Sequence, residues 1–229
     1  MSEDVVGNVA LADAPEVIEA TSHAPVKLEY KKKPVYDFVK RAFDIFVAVI
    51  CLTVGLPIYL IIALAIVIDD PGNPLFVQER VGRNNKVFKM VKFRTMRIDA
   101  EQIKVELKEQ NECRGVHFKM ENDPRITRVG KFLRRTSLDE TAQAVNLLTG
   151  SMTVIGPRPF VPSEQAQLPE DRLLVKPGLS CYWQLEDTTK MSDEQQLELD
   201  YRYINERSVG TDIKLIFRTV ASIVKGKNV

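Results

Sequence analysis

The 229-residue sequence has few cysteines and almost no net charge. Its three cysteines (Cys51, Cys113 and Cys181) form no C-x-x-C pair, which argues against structural disulfides and favours a reducing compartment. The 32 basic and 31 acidic residues give a formal net charge of +1, so the chain lacks the basic footprint of a nucleic-acid-binding protein. The N-terminus begins acidic and has no apolar segment, which argues against a signal peptide.

The first 30 residues differ in charge from the segment after them. Residues 1–30 contain six acidic side chains and one lysine, whereas residues 31–33 are all lysine and Lys40 and Arg41 come soon after. The acidic part has little apolar periodicity, so we predict a disordered or loosely held tail over residues 1–33 with a basic end. The cations stand directly before an apolar run, a pattern that suits anionic headgroups on a cytoplasmic leaflet.

An uncharged run of 24 residues from Ile45 to Ile68 is the strongest physical signal in the sequence. About 20 apolar residues suffice to cross a bilayer as a helix, so the run predicts membrane insertion; the alternative is a buried helix of a soluble core. Gly55 and Pro57 lie near its middle, and a proline removes one helical hydrogen bond, which predicts a kink. A kinked helix can cross the membrane or return to the side it entered, and the residues leave both topologies open.

A β-hairpin is predicted immediately after this run. Residues 75–77 and 87–91 are rich in β-forming side chains, and residues 82–85 between them are turn formers. The hairpin would present several cations, among them Lys92 and Arg94, although a solvated basic face is the alternative for each.

Other segments show helical or strand patterns. We predict a charged amphipathic helix over residues 98–111 and a basic one that Asp123-Pro124 introduces, suited to the membrane surface or to an ordinary protein surface. Residues 152–155 predict a short strand, and residues 179–185 a strand or a buried amphipathic piece. The patterns further predict helices over residues 192–206 and 213–224.

The adjacent acids Asp139 and Glu140 are the first candidates for chemistry. A carboxylate can attack phosphorus or hold a metal ion. The same residues also fit a capping box, in which Ser137 caps a helix that runs to Gly150 and Glu140 reaches back to it. Capping and catalysis are compatible, because a capped helix start would hold Asp139 rigidly.

Arginines lie on both sides of the acid pair. Arg134 and Arg135 come just before it, and Arg158 stands between Pro157 and Pro159. Guanidinium groups grip phosphate oxygens in a two-pronged fork, and the following proline holds Arg158 extended. Acids beside such bases point to phosphate chemistry.

Several runs together, spread over about residues 34–225, resemble the bacterial sugar transferases, the monotopic polyprenyl-phosphate phosphoglycosyl transferases. The matching runs are KRAFDIFVA (40–48), PGNPLFVQERVGRNNKVFKMVKFRTM (71–96), DPRITRVGKFLRRTSLDETAQAVNLLTGSMTVIGPRP (123–159), KPGLSCYWQ (176–184) and LDYRYINERSVGTDIKLIFRTV (199–220).

The resemblance implies a helix-rich α+β monotopic membrane protein. Its N-terminal helix, residues 34–70, would be re-entrant and broken at Pro57 with Gly55. Amphipathic interfacial helices and a small β-hairpin or sheet would belong to a cytoplasmic catalytic domain over residues 71–229. The expected location is the cytoplasmic face of the bacterial cell membrane.

The resemblance also implies an activity. Such enzymes move sugar-1-phosphate from a UDP-sugar to undecaprenyl phosphate and release UMP, the initiating step of exopolysaccharide, capsule or glycoconjugate synthesis. Asp139 would be the nucleophile and form an aspartyl-phosphosugar intermediate. Glu140 would assist through Mg²⁺ or proton handling, so both acids are candidate metal ligands. Lys92, Arg94, Arg134 and Arg158 would bind the phosphates.

Two rival functions remain at this point. One is a different phosphotransfer by an enzyme with a spanning anchor; the other is a non-catalytic, membrane-anchored scaffold of polysaccharide assembly, in which Asp139 and Glu140 only cap a helix. A homo-oligomer is compatible with the sequence, although nothing in it marks a dimer face.

Overall fold

The protein is a helix-rich α+β structure in which one long apolar helix precedes a small mixed domain. The computed structural model describes residues 26–100, 102–103, 123–186 and 191–225. The α-helices are α1 (Pro34–Asp69), α2 (Arg128–Arg135), α3 (Ala144–Thr149), α4 (Pro162–Gln165), α5 (Asp193–Glu206) and α6 (Val209–Val224). The strands are β1 (Leu75–Val81), β2 (Val87–Phe93), β3 (Thr153–Ile155) and β4 (Gly178–Ser180), and short 3-10 helices cover Arg83–Asn85, Leu138–Gln143, Glu170–Leu174 and Tyr182–Leu185.

Helix α1 is the membrane-anchoring element. It has 36 residues, begins with Pro34 at its first helical position and runs through Pro57. Only 11% of its most apolar 18-residue stretch is buried, and this low burial distinguishes α1 from the core helix of a soluble protein. Large apolar side chains such as Leu60 and Ile61 are exposed along it. A side-chain surface of this kind needs a lipid environment.

Strands β1 and β2 form the predicted antiparallel hairpin. Leu75 pairs with Phe93 and Val81 with Val87, so the strands are longer than the sequence pattern indicated. The connection includes Asn84 and Asn85, whose φ angles of 56° and 60° lie in the left-handed region that asparagine tolerates.

Strands β3 and β4 pair in parallel, Thr153 with Gly178 and Ile155 with Ser180. The strand predicted at residues 152–155 is therefore confirmed. The segment predicted at residues 179–185 divides into β4 and a 3-10 helix. Gly178 allows this pairing, because a Cβ atom there would collide with the main-chain nitrogen of Gly156.

Both halves of α1 pack against the domain. Ala48, in the first half, lies in a buried cluster with Met90, Leu147 and Met152. In the second half, Ile62 and Ile66 pack in a cluster that includes Leu133. A third cluster, around Ile155, Tyr203, Ile204 and Leu215, joins α5, α6 and β3. The domain core is thus built partly on the membrane helix.

A buried carboxylate in α1 fixes this docking. Asp44 is 2% exposed. Its Oδ1 accepts hydrogen bonds of 2.9 Å from the hydroxyl of Thr153 and from the backbone N–H of Val154. These bonds join residues more than 100 positions apart and set strand β3 beside the helix.

The basic helix after residue 123 begins later than the sequence predicts. Asp123 does not cap it; its carboxylate holds Arg125, with Oδ2 at 2.6 Å from Nη2. The chain first makes a turn in which the N–H of Ile126 donates to the carbonyl of Asp123, and Ile126 then bridges to Met96. Helix α2 starts only after Thr127, whose hydroxyl accepts from the N–H of Gly130. The prediction of a cap at Asp123 is therefore wrong, because the arginine two residues on competes for the carboxylate.

Three further helices were predicted, and the structure describes each of them wholly or in part. Helix α5, capped by Ser192, agrees with the helix predicted over residues 192–206. Helix α6 begins at Val209, earlier than predicted, with the Ser208 hydroxyl as its cap. Of the helix predicted over residues 98–111, Ala100, Gln102 and Ile103 are helical and residues 104–111 lie outside the described residues.

The predicted tail falls partly inside the described residues, which begin at position 26. Residues 27–33 have no regular secondary structure, yet they are bound to the domain. Asn205 accepts from the N–H of Glu29 and donates to the carbonyl of Lys27, and Lys33 donates to the carbonyl of Arg207 at 2.6 Å. This part of the segment therefore has fixed contacts with α5 and the residue directly after it.

Candidate active site

The acid pair lies on the 3-10 helix Leu138–Gln143, packed against β2 and α2. Asp139 is 8% exposed, and the side chain of Glu140 is 29% exposed. A 3-10 helix turns about 120° per residue, so neighbouring side chains leave it in different directions. The two carboxylates therefore have different surroundings although they are adjacent in sequence.

The predicted capping box is wrong. Ser137 has a φ angle of 55°, in the left-handed region, and its side chain makes no cap hydrogen bond. Glu140 turns instead to Lys92 on β2, and Lys92 Nζ lies 2.6 Å from Glu140 Oε1. The end of the helical segment agrees with the sequence, since Gly150 terminates α3 with a φ angle of 80°. Without a cap bond, the local structure gives the acids no capping role.

The two carboxylates have opposite electrostatics. Burial raises the pKa of Asp139 to about 6, and the charge of Glu140 adds to the rise, while Lys92 and Arg134 oppose it. Burial acts on Glu140 in the same direction, but the charge and hydrogen bond of Lys92, with help from Arg158 and Arg134, outweigh it and lower the pKa of Glu140. Two acids with divergent pKa values side by side are typical of catalytic sites.

Three of the four predicted phosphate-binding cations surround this pair. Lys92 contacts Glu140 directly, and the charges of Arg134 and Arg158 help to lower the pKa of Glu140. Arg134 Nε donates to the hydroxyl of Thr95 at 3.1 Å, and the residue as a whole is exposed. The guanidinium carbon of Arg158 lies 4.8 Å from the ring centre of Trp183. These cations form a positive rim around a buried acid.

Arg94 is held elsewhere. Its Nη1 lies 2.5 Å from Asp70 Oδ2, and its Nη2 donates to the carbonyl of the same residue, at the point where α1 ends. Asp69 accepts from the N–H of Val129, so the two aspartates join the end of α1 to β2 and α2. Arg94 is thus placed to position the anchor relative to the hairpin, and its guanidinium group is taken up by the carboxylate and the main-chain carbonyl of Asp70.

Arg80 and Trp183 lie beside the site although neither was among the predicted site residues. Arg80 Nη1 donates to the carbonyl of Pro159 at 3.0 Å, and Nη2 donates to Gln78 at 2.6 Å. Burial lowers the pKa of Arg80 to about 10, and the nearby charge of Arg158 adds to this. Strand alternation offered a signal, since Arg80 falls on the same hairpin face as Lys92. No comparable signal existed for Trp183.

Residues 35–226 match the family model described as bacterial sugar transferase. The chain belongs to that family. The matched residues include the acid pair, the cationic rim and nearly all of α1.

Curated relatives agree with this assignment. The galactosyl transferase CpsE of Streptococcus agalactiae serotype III (strain NEM316) is 42% identical over 194 residues, 82% of this chain and 42% of that protein. The UDP-glucose:undecaprenyl-phosphate glucose-1-phosphate transferase of Escherichia coli (strain K12) is 40% identical over 206 residues, 82% of this chain and 42% of that protein. This bacterial sugar transferase therefore spans less than half the length of both.

A shorter relative matches over most of its length. The exopolysaccharide production protein ExoY of Rhizobium meliloti (strain 1021) is 32% identical over 200 residues, which are 83% of this chain and 88% of that protein.

The acidic side chains of this bacterial sugar transferase can be compared with the ligands that a magnesium ion requires. Among the described residues, no group of three or more acidic, histidine or cysteine side chains is placed to hold a metal. Asp139 and Glu140 offer two carboxylates at most. Mg²⁺ is commonly bound by one or two carboxylates together with substrate phosphates and water, so the acid pair fits such an ion when a phosphate-bearing substrate is present.

Proposed function

We propose that the protein transfers sugar-1-phosphate from a UDP-sugar to undecaprenyl phosphate and releases UMP, through an aspartyl-phosphosugar intermediate on Asp139. The observation that carries the proposal is the buried Asp139, whose pKa is raised to about 6, next to the Glu140–Lys92 ion pair. The name of the Escherichia coli relative supports this reaction class, and the name of the Streptococcus agalactiae relative supports transfer of a sugar.

In the first step an oxygen of Asp139 attacks the β-phosphorus of the UDP-sugar. The bond between that phosphorus and the bridging oxygen breaks, and UMP leaves with the electron pair. In the second step an oxygen of undecaprenyl phosphate attacks the same phosphorus and displaces the Asp139 carboxylate. The product is an undecaprenyl diphosphate sugar, and the enzyme returns to its starting form.

The surrounding residues have separable roles in this reaction. Lys92 holds Glu140 ionised, and Glu140 keeps negative charge beside Asp139. Arg134 and Arg158 would grip the phosphate oxygens. Asp139 and Glu140 would hold Mg²⁺, which neutralises diphosphate charge and eases departure of UMP. A pKa of about 6 leaves Asp139 mostly ionised near pH 7 yet more basic than an exposed aspartate, which suits a nucleophile.

We further propose that α1 returns to the cytoplasmic side, so that the active site faces cytosolic UDP-sugars. A straight helix of 36 residues would be about 54 Å long. Residues along both halves of this length, namely Ala48, Ile62 and Asp69, nevertheless contact the same domain. Contacts from both halves of the helix to one domain support an anchor that enters and leaves on the same face.

The covalent mechanism is tested with the purified full chain and a panel of UDP-sugars. UMP should appear before any undecaprenyl phosphate is added, in an amount near one per enzyme, together with a phosphosugar mass adduct on the peptide that contains Asp139. Asp139→Asn should abolish both, while Asp99→Asn, a matched change at a surface carboxylate, should abolish neither. Release of UMP only after the lipid is added, with no adduct, would overturn the intermediate.

Topology is tested by cysteine labelling in whole and permeabilised cells. Cysteines are introduced at Ser2 and at the exposed Lys86, with Cys51 and Cys113 replaced by serine and the buried Cys181 retained. Both new cysteines should be protected in whole cells and should react after permeabilisation. Labelling of one in whole cells while the other is protected would contradict a re-entrant helix.

A further inference from the structure

A polar cavity lies where the start of α1 meets the domain. Its volume is about 60 Å³, and its walls include Tyr30, Lys40 and Arg41 from the N-terminal part of the chain. Arg83 from the hairpin turn and Lys176 from the loop before β4 also line it. None of the acid-pair residues or their cationic rim lines this cavity, so it is distinct from the candidate active site.

Positive charge dominates the lining. Five cations line the cavity against two acids: Lys40, Arg41, Arg83, Lys176 and Arg207 against Asp37 and Asp44. Asp44 is already committed to its hydrogen bonds with Thr153 and Val154. The protein therefore supplies more positive than negative charge around a small space.

Most of these cations have partners within the protein. Lys40 Nζ lies 2.5 Å from Asp212 Oδ2. Arg41 donates to the carbonyls of Leu147 and Leu148 at the end of α3, and Arg207 donates to the carbonyl of Ile204. The basic cluster that the sequence suggested for lipid headgroups is thus largely used to dock α1 and the N-terminal segment.

Lys176 differs from them. It is half-buried, and within the described part of the chain its Nζ makes neither a hydrogen bond nor an ion pair. Burial lowers its pKa, and the charges of Arg41 and Arg83 add to this against the opposing charge of Asp44. A half-buried cation beside other cations gains free energy when an anion arrives.

The cavity lies beside the part of α1 at which the apolar run begins. Phe38 and Phe43 are exposed on the same stretch of α1, and the uncharged run begins at Ile45, directly after the lining residue Asp44. Exposed aromatic side chains at the start of an apolar helix mark the membrane interface. This holds whether α1 crosses the membrane or returns.

The size of the cavity limits the ligand. A volume of about 60 Å³ suits one phosphate group. We propose that the cavity binds the phosphate of an anionic phospholipid headgroup in the leaflet that α1 enters, with Lys176 and Arg83 as its charged contacts. This lipid would join α1, the hairpin turn and the β4 loop around one anion.

The test uses the full chain, delipidated in a neutral detergent. Thermal unfolding is followed while dihexanoyl phosphatidylglycerol, dihexanoyl phosphatidylcholine or inorganic phosphate is added. Four proteins are compared: wild type, Lys176→Gln, Lys176→Arg and Lys89→Gln. Lys89 is exposed on β2 and lies outside the cavity, so its variant makes the same charge change elsewhere.

Phosphatidylglycerol should raise the melting temperature of wild type, Lys176→Arg and Lys89→Gln. Lys176→Gln should need about tenfold more of the lipid, as expected for loss of one charge-assisted hydrogen bond. Without lipid, Lys176→Gln should melt no lower than wild type, because it removes a cation that no partner neutralises. If Lys176 had a purely structural role, Lys176→Gln would melt below wild type without lipid.

Three outcomes would overturn the inference. One is an unchanged response of Lys176→Gln to phosphatidylglycerol. Another is a lower melting temperature of Lys176→Gln without lipid, since that would reveal a stabilising partner for the lysine. The third is an equal shift with inorganic phosphate at the same concentration, which would assign the cavity to a soluble phosphate and remove the lipid from it.

Discussion

The hydroxyl of Tyr59 in α1 donates a hydrogen bond to the main-chain carbonyl of Thr141, at 3.2 Å. Thr141 directly follows the acid pair on the same 3-10 helix, and the ring of Tyr59 meets that of Phe93 edge-on at 5.5 Å. A Cβ atom on Gly55 would lie 2.8 Å from this tyrosine ring. Gly55 therefore leaves room for the aromatic residue that ties the membrane helix to the acid pair.

This relationship predicts that Gly55→Ala weakens both stability and activity. The added methyl group must displace the Tyr59 ring and break its contact with Thr141. Gly210→Ala is the control, since a Cβ atom there meets only the Ser208 hydroxyl, at 3.9 Å. Thermal unfolding in detergent should show a loss for Gly55→Ala and no loss for Gly210→Ala, because alanine favours helices by about 0.5–1 kcal/mol over glycine. Equal behaviour of the two variants would refute the spacing role.

Asp139→Asn should stabilise the protein at neutral pH while removing its activity. The folded protein holds the Asp139 proton with a pKa of about 6, whereas an unperturbed aspartate titrates near 3.8. Wild-type stability should therefore fall as the pH rises from about 4 to about 6 and stay lower above that. Asparagine does not ionise, so the variant should gain about 1–3 kcal/mol at pH 7.5 and lose this advantage below pH 4. Unfolding measured across that pH range checks it.

Asp123→Asn provides the matched control with the opposite sign. Burial alone would raise the pKa of Asp123, but its hydrogen bonds and ion pair with Arg125 lower it. The ionised carboxylate is therefore stabilising at neutral pH, and that contribution is lost as the pH falls through the folded-state pKa. The asparagine variant should melt below wild type at pH 7.5. A gain of stability at pH 7.5 in both variants would show that the stabilisation by Asp139→Asn does not arise from the burial of Asp139.

Lys92→Met should move the acid limb of the pH–activity profile upward. Lys92 lowers the pKa values of both acids, so its loss should raise the pH needed to ionise Asp139, by roughly one unit. Lys89→Met, a matched change at an exposed lysine of the same strand, should leave the profile unchanged. Initial rates of UMP release between pH 5 and pH 9 give the comparison, and an unshifted limb in Lys92→Met would exclude the electrostatic role.

Arg158→Lys should reduce activity strongly while the protein stays folded. Lysine keeps the charge but loses the planar fork and the stacking on Trp183. Arg202→Lys is a fitting control, because Arg202 also stacks on an aromatic ring, that of Tyr182 at 4.7 Å, and is more than half exposed. Turnover near that of wild type in Arg158→Lys would mean that Arg158 has a structural role only.

Local patterns were sufficient for much of this fold. The limits of the hairpin turn are given by turn-forming residues between β-rich segments, and α5 begins where Ser192 and Gln195 complete a capping box. The apolar run predicted a long helix within α1, and the exposure of its side chains in the structure distinguishes it from a buried core helix. In each case the information lies within a few consecutive residues.

The errors arise where a distant partner competes with the local pattern. Ser137 and Glu140 fit a capping box, but Lys92, 48 positions away, takes the glutamate. Asp70 at the end of α1 takes up the guanidinium group of Arg94, whose predicted contact with phosphate stays a prediction. Parallel pairing of β3 with β4 likewise depends on residues about 25 positions apart. Sequence patterns show which groups are available and seldom show which of them are already paired.

The two hydrogen bonds of Asp44 have a consequence for biosynthesis. The helix that carries Asp44 leaves the ribosome long before Thr153 and Val154 do, so the anchor must wait for its partners until most of the chain has been translated. Deleting the anchor to obtain a soluble fragment would remove that carboxylate and uncover Met90, Leu147 and Met152 at once. Expression trials should therefore keep residue 44 and its helix and vary the detergent instead.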